Sequence, residues 1–95
     1  MDDITFEWNE SKNTVNIRKH KVSFDEAKTV FYDEDAILFS DENLSNDEER
    51  YIMLGVSESA RLLVVCHCYM ERRNAIRIYS ARKATRNEGK FYYER

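Results

Sequence analysis

Arg72, Arg73, Arg77, Arg82, Lys83 and Arg86 fall within fifteen positions of this 95-residue chain. Arg77 stands inside an apolar run, Ala75-Ile76-Arg77-Ile78-Tyr79, and strand alternation puts it on one face with Tyr79. A guanidinium presents a planar fork to phosphate oxygens, and a tyrosine ring offers a surface on which a base can stack. The set reads either as a phosphate-binding surface or as solvated charge on a sheet edge and its turns. Nearer the N-terminus, Lys12, Asn16, Lys19 and His20 recur at the i, i+4, i+7, i+8 spacing of one helix face.

Cys66-His67-Cys68 suggests a metal site by residue type, but a structural zinc needs about four ligands and the only other histidine, His20, is remote in sequence. Alternation sends the two cysteines one way, with Leu62 and Val64 as small core residues, and His67 the other way. His67 then shares a mixed face with Leu63, Val65 and Tyr69, as a satisfied structural group or as an acid–base. Whether it lies on the same face as Arg77 depends on the register of the hairpin between them. The acidic stretch Asp41–Glu49, leading into Arg50, is a solvated loop by composition, and Glu49 at its end has the chemistry of a general base. Two isolated glycines exclude a phosphate-cradling glycine loop, and no Gly-x-Ser-x-Gly elbow is present.

These residues must be positioned by a single small domain spanning 1–95, since 11.4 kDa leaves no room for a second core. A content of 42% hydrophobic and 13% aromatic residues excludes a disordered chain. No apolar run approaches the ~18 residues of a membrane span, the acidic N-terminus has no signal-peptide character, and two cysteines read as reduced thiols; a cytoplasmic protein is expected. Ile4–Trp8 alternates like a strand. Asn9–His20 reads as a short polar helix, and Ser23 with Glu26 forms a capping-box signature before the stripe Phe24, Ala27, Phe31. Strand-like runs follow at Ala36–Phe39, Tyr51–Val56, Arg61–Tyr69 and Ala75–Ala81, joined late in the chain by loops too short for parallel crossovers. Thr85 and Glu88 open a last helix to Tyr93. The order β-α-α-β-β-β-β-α predicts an α+β fold, an antiparallel sheet with helices on one face.

The net charge of −3 argues against nucleic acid only until it is divided. Residues 1–49 hold fourteen acids and five bases, a balance of −9, whereas residues 50–95 hold ten bases and four acids, a balance of +6. That asymmetry predicts a basic functional surface beside an acidic one.

Phe6-x-Trp8-Asn9-x-x-Lys12-x-x-x-Asn16-x-x-Lys19-His20-x-Val22-Ser23-Phe24-x-Glu26-Ala27 resembles the opening signature of BrnT-type toxins. Glu49-Arg50-Tyr51, the Gly55 strand, and Ile76-Arg77-Ile78-x-Ser80-Ala81-Arg82-x-Ala84-Thr85-x-x-Glu88-x-x-x-Tyr92 resemble its second half. The resemblance implies a RelE-like fold with two N-terminal helices and one C-terminal helix. It implies a metal-independent endoribonuclease, without cofactor, in a type II toxin–antitoxin module. A BrnA-like ribbon-helix-helix antitoxin would neutralise it, and operator DNA would be met only through that complex. Carried over by position, the family's basic and polar residues fall on Lys12, Lys19, His20, Glu49, Arg50, Arg77, Ser80 and Arg82; together with the residue chemistry read above, the catalytic candidates are His20, Glu49, His67, Arg77 and Arg82. The RNA-binding candidates are Lys12, Lys19, Arg50, Tyr79, Ser80 and Lys83. A non-catalytic antitoxin- or nucleic-acid-binding module of the same fold is the alternative. The chain departs from the family pattern where Lys21 replaces a glycine, Asn9 an aspartate and Gly89 a basic residue.

Overall fold

The computed structural model describes residues 3–41 and 50–95. A short strand β1 (Thr5–Glu7) leads to helix α1 (Glu10–His20), whose first turn is capped by the Asn9 side chain accepting from the Lys12 amide at 3.0 Å. Asparagine fills the cap position as well as aspartate would. The helix ends at Lys21 with φ 61°. Helix α2 (Phe24–Ala27) starts on Ser23, whose hydroxyl accepts from the Glu26 amide at 3.0 Å, and continues as a 3-10 turn over Lys28–Tyr32. Only half of the expected capping box forms there. The Glu26 carboxylate turns to Arg61 and Ser57 instead.

Strands β2 (Ile37–Ser40), β3 (Arg50–Val56), β4 (Leu62–Met70) and β5 (Ala75–Lys83) form an antiparallel meander, and α3 (Arg86–Tyr93) closes the chain. The sheet order is β1-β5-β4-β3-β2. It is not wholly antiparallel: β1 joins the edge parallel to β5, pairing Thr5 with Ala75 through Glu7 with Arg77. The chain between these two strands, from α1 through β4, is far longer than the crossover that such parallel placement requires.

One core cluster joins Val22, Phe24, Ala27 and Val30 of the α2 region to Leu63, Val65, Ile76, Ile78 and Ala81 of the sheet. A second lies on the opposite face, where Tyr92 of α3 packs on Leu54 and Val64. The helices therefore occupy both faces, because Arg86–Tyr93 carries its own apolar stripe. Asp33 ties the two layers together: its carboxylate accepts from the Val56 amide at 2.8 Å and the Tyr92 hydroxyl at 2.6 Å.

Both faces of β4 are buried: the expected row holds Val64 and Cys68, and the row expected to be mixed holds Leu63, Val65 and His67 in the main core. His67 lies on the main core face, 4% exposed, with its ring edge-on to Phe31 at 4.7 Å. Cys68 is buried and Cys66 half-buried on the other side. Both rows of β4 are apolar, so composition did not mark which one the α2 region covers.

Among the described residues, ion pairs join the two halves of the chain. Glu7 binds Arg73 and Arg77, Glu26 binds Arg61, and Asp35 approaches Arg95, each pair joining the acidic half to the basic half. Among the described residues, no helix is long and apolar enough to cross a membrane.

Candidate functional site

β1 covers the edge of β5 only as far as Arg77. Beyond it α1 lies along that edge, and Asn16 stands in for a strand. Its Nδ2 donates to the Ala81 carbonyl at 2.8 Å and to the Val22 carbonyl at 2.8 Å, while its Oδ1 accepts from the Ala81 amide at 3.2 Å. Asn13 does the same for the next element, accepting from the Phe24 amide at 2.9 Å. These are the buried residues of α1, and that is why so polar a sequence docks as a helix. Lys12, Lys19 and His20 are left facing outward.

The result is a groove of about 320 Å³ lined by Lys12, Asn16, Lys19 and His20 of α1 and by Tyr79 and Ser80 of β5. The β5 side is shaped by a bulge: Cys66 pairs with Ser80 and His67 with Ile78, so Tyr79 is the extra residue of β5. The bulge keeps Ile78 and Ala81 both in the core while aiming Tyr79 away from it. The Arg50 guanidinium lies 4.2 Å from the centroid of the Tyr79 ring, and the Lys12 ammonium lies 5.6 Å from it.

Arg50 and Arg77 flank Cys68 in register on the sheet face opposite the main core, and Arg82 pairs with Val64 farther along the same face. Both β5 arginines are already engaged. Arg77 donates to Glu7 at 3.1 Å, and Arg82 makes a two-point fork with Glu88 at 2.8 and 2.9 Å. The Arg82 hydrogen bonds pull the Glu88 carboxyl down to about 2, against the opposing pull of burial. Glu88 also completes the capping box with Thr85, so one carboxylate sets both α3 and Arg82.

Of the residues singled out in the sequence, Lys12, Lys19, His20, Tyr79 and Ser80 line this groove, with Arg50 stacked on its tyrosine. Arg77 and Arg82 lie on the adjoining sheet face. His67 does not join them. The hairpin register pairs it with Ile78 on the other sheet face from Arg77, and burial holds its imidazole below the ordinary histidine range despite a contact of Nδ1 with the Val65 carbonyl at 3.2 Å. Lys83 pairs with Leu63, a core-facing residue, and sits exposed at the strand end away from the groove. Glu49 lies outside the described residues. Sequence reasoning missed Asn13 as an anchor and Glu7 and Glu88 as counter-charges. The Thr85–Glu88 capping spacing was the one signal that marked any of them. Among the described residues, no three His, Cys, Asp or Glu side chains converge as a metal set.

A sequence model of the ribonuclease toxin BrnT, of type II toxin–antitoxin systems, matches residues 8–88. The chain belongs to the BrnT toxin family. The match runs from Trp8, ahead of the α1 cap, to Glu88, and so includes every element of the groove. The fold agrees with the 1.1 Å crystal structure of the Brucella abortus ribonuclease toxin BrnT, at 20% identity and a TM-score of 0.66 over 88% of this chain and 100% of that one. A search of curated proteins found no match. BrnT family membership makes this chain a ribonuclease toxin of a toxin–antitoxin system, with RNA as target and an antitoxin as partner.

Proposed function

We propose that the chain cleaves RNA in the α1–β5 groove without a metal, using the substrate's own 2′-hydroxyl as nucleophile. The observation that carries this is the convergence of Lys12, Lys19 and His20 with Tyr79 and Ser80, beside Arg50, on one groove of a BrnT-family fold. In such a reaction a base removes the 2′-proton, the oxygen attacks the adjacent phosphorus, and an acid protonates the departing 5′-oxygen. Lys12, Lys19 and Arg50 hold backbone phosphates and offset the charge that builds on the phosphorane. His20 is the acid–base residue of the groove, since imidazole gives and takes protons near neutral pH. Ser80 offers a hydroxyl to the substrate. Arg77 and Arg82 form the clamp of the adjoining face, and RNA phosphates compete there with Glu7 and Glu88. Glu49 remains a candidate base. The cytoplasm is the expected site of action, and a BrnA-like ribbon-helix-helix antitoxin is the expected partner, bringing the toxin to operator DNA only as a complex.

The test is cleavage of a defined RNA by purified protein in excess chelator. His20→Ala is expected to slow cleavage by about 100-fold or more. Cleavage that vanishes on chelation, or that survives His20→Ala at full rate, contradicts the mechanism. Co-expression with the adjoining ribbon-helix-helix reading frame is expected to relieve growth arrest. Binding of RNA with no cleavage at high protein favours the non-catalytic module.

A further inference from the structure

We propose that Tyr79 is a positioning residue whose ring gathers Arg50 and Lys12 into one phosphate-binding subsite of the groove, and that it is not a platform for a base. The proposal rests on the reading of the groove as an RNA site and assigns a role within it.

Four observations converge. The bulge makes Tyr79 the extra residue of β5 and turns it out of the core between Ile78 and Ala81. Its hydroxyl is fixed against the Cys68 sulfur at 3.1 Å, and Cys68 is itself 2% exposed, so the ring has a buried anchor. Two cations from distant parts of the chain meet that ring, Arg50 at 4.2 Å and Lys12 at 5.6 Å. The Arg50 Nε is buried and has no hydrogen-bond partner among the described residues, so stacking on the ring, and no hydrogen bond at that atom, holds this end of the guanidinium.

Two positive charges within 5.6 Å of one ring centroid repel one another unless something holds them. The negative face of an aromatic ring does so without neutralising either charge. A carboxylate in the same place would instead occupy the donors, as Glu88 does for Arg82. Lys12 has no acidic residue three or four positions away in the chain; those places hold Trp8, Asn9, Val15 and Asn16. The arrangement thus gathers two cations around one ring beside the groove, where they attract the phosphates of a bound strand. The ring engaged by two cations is not offered to a base, so the subsite is indifferent to sequence.

The experiment measures binding of a labelled, non-cleavable 2′-O-methyl oligonucleotide by anisotropy, across a salt series, with thermal melts of every variant. Tyr79→Phe keeps the ring and is expected to bind within twofold of wild type. Tyr79→Leu is expected to bind about five- to tenfold more weakly, with the salt slope reduced by about one. The double variant Tyr79→Leu/Arg50→Met is expected to be no more than about twofold weaker than Arg50→Met alone, because the two residues act together. Wild-type binding by Tyr79→Leu, or penalties that multiply, overturns the proposal. Should Tyr79→Leu fail to fold, Arg50→Lys decides: it keeps the charge but loses planar stacking, and wild-type affinity would overturn the subsite. A wild-type protein that binds the oligonucleotide but cuts no RNA defeats the nuclease reading and leaves the subsite standing on its binding data.

Discussion

At Lys21 and His67, side chains sit where their type carries a cost. Lys21 holds φ 61° and ψ 33° at the end of α1, a left-handed conformation that strains any residue with a Cβ. Its useful contacts are largely backbone, since the Lys21 carbonyl accepts from Arg61 at 2.9 Å. Lys21→Gly is therefore expected to stabilise the fold by about 1 kcal/mol in urea unfolding. His67 is kept neutral by burial, with a pKa below the ordinary value. The unfolded chain binds that proton more readily, so the neutral form's contribution is complete above about pH 6.5 and is lost as pH falls below it. Urea unfolding of His67→Leu at pH 7.5 and pH 5 is expected to show a smaller difference than wild type. Its RNA cleavage rate is expected to stay within about threefold, as the ring faces the core; a 100-fold loss would place it in catalysis after all.

At the scale of elements, the two glycines make opposite demands. Gly89 lies inside α3, where an added Cβ would meet Leu62 at an ordinary 3.9 Å. Gly89→Ala is expected to add about 1 kcal/mol from helix propensity, seen as a higher melting temperature. Gly55 lies on β3 under the Asp33 turn, where a Cβ would stand 2.8 Å from Val30 and 3.0 Å from Ala36. Gly55→Ala is expected to destabilise by about 2 kcal/mol, because two elements must separate. The departures at Lys21 and Gly89 thus loosen the end of α1 and the interior of α3, and neither residue lines the groove.

At the scale of the whole molecule, carboxylates join what the core alone does not. Glu88 is drawn down to about 2 by Arg82, and Glu26 is held low first by its hydrogen bond from Arg61. Burial pushes the Asp33 carboxyl up, but the Tyr92 hydroxyl and the Val56 and Asp35 amides outweigh it and leave it low. Burial and the Asp33 carboxylate push the Tyr92 hydroxyl up to about 12, so it stays a donor. Depressed carboxyls stabilise the fold fully above their unfolded value, near 4.5, and lose that contribution as pH falls toward about 2. Glu88→Gln is expected to cost about 1–2 kcal/mol at pH 7, after allowing for solvent screening of a partly exposed pair, and nothing near pH 2. Denaturant unfolding at the two pH values checks this.

The sequence by itself determined the elements, their order and the family. Caps at Asn9, Ser23 and Thr85 and apolar alternation are local, and local interactions act before the chain folds. It also placed Lys12, Lys19 and His20 on one helix face, because 3.6 residues per turn is a property of the helix alone. It did not place β1 beside β5, or α3 on the second face, since both depend on contacts between distant segments. Nor did it place His67 in the core. One residue of bulge at Tyr79 sets which side chains of β5 face out, and two equally apolar rows of β4 hid the answer. The meeting of Arg50 with Lys12 on a single ring belongs to tertiary structure as well: the two residues are far apart in the chain, and only the docking of α1 on β5 brings them together.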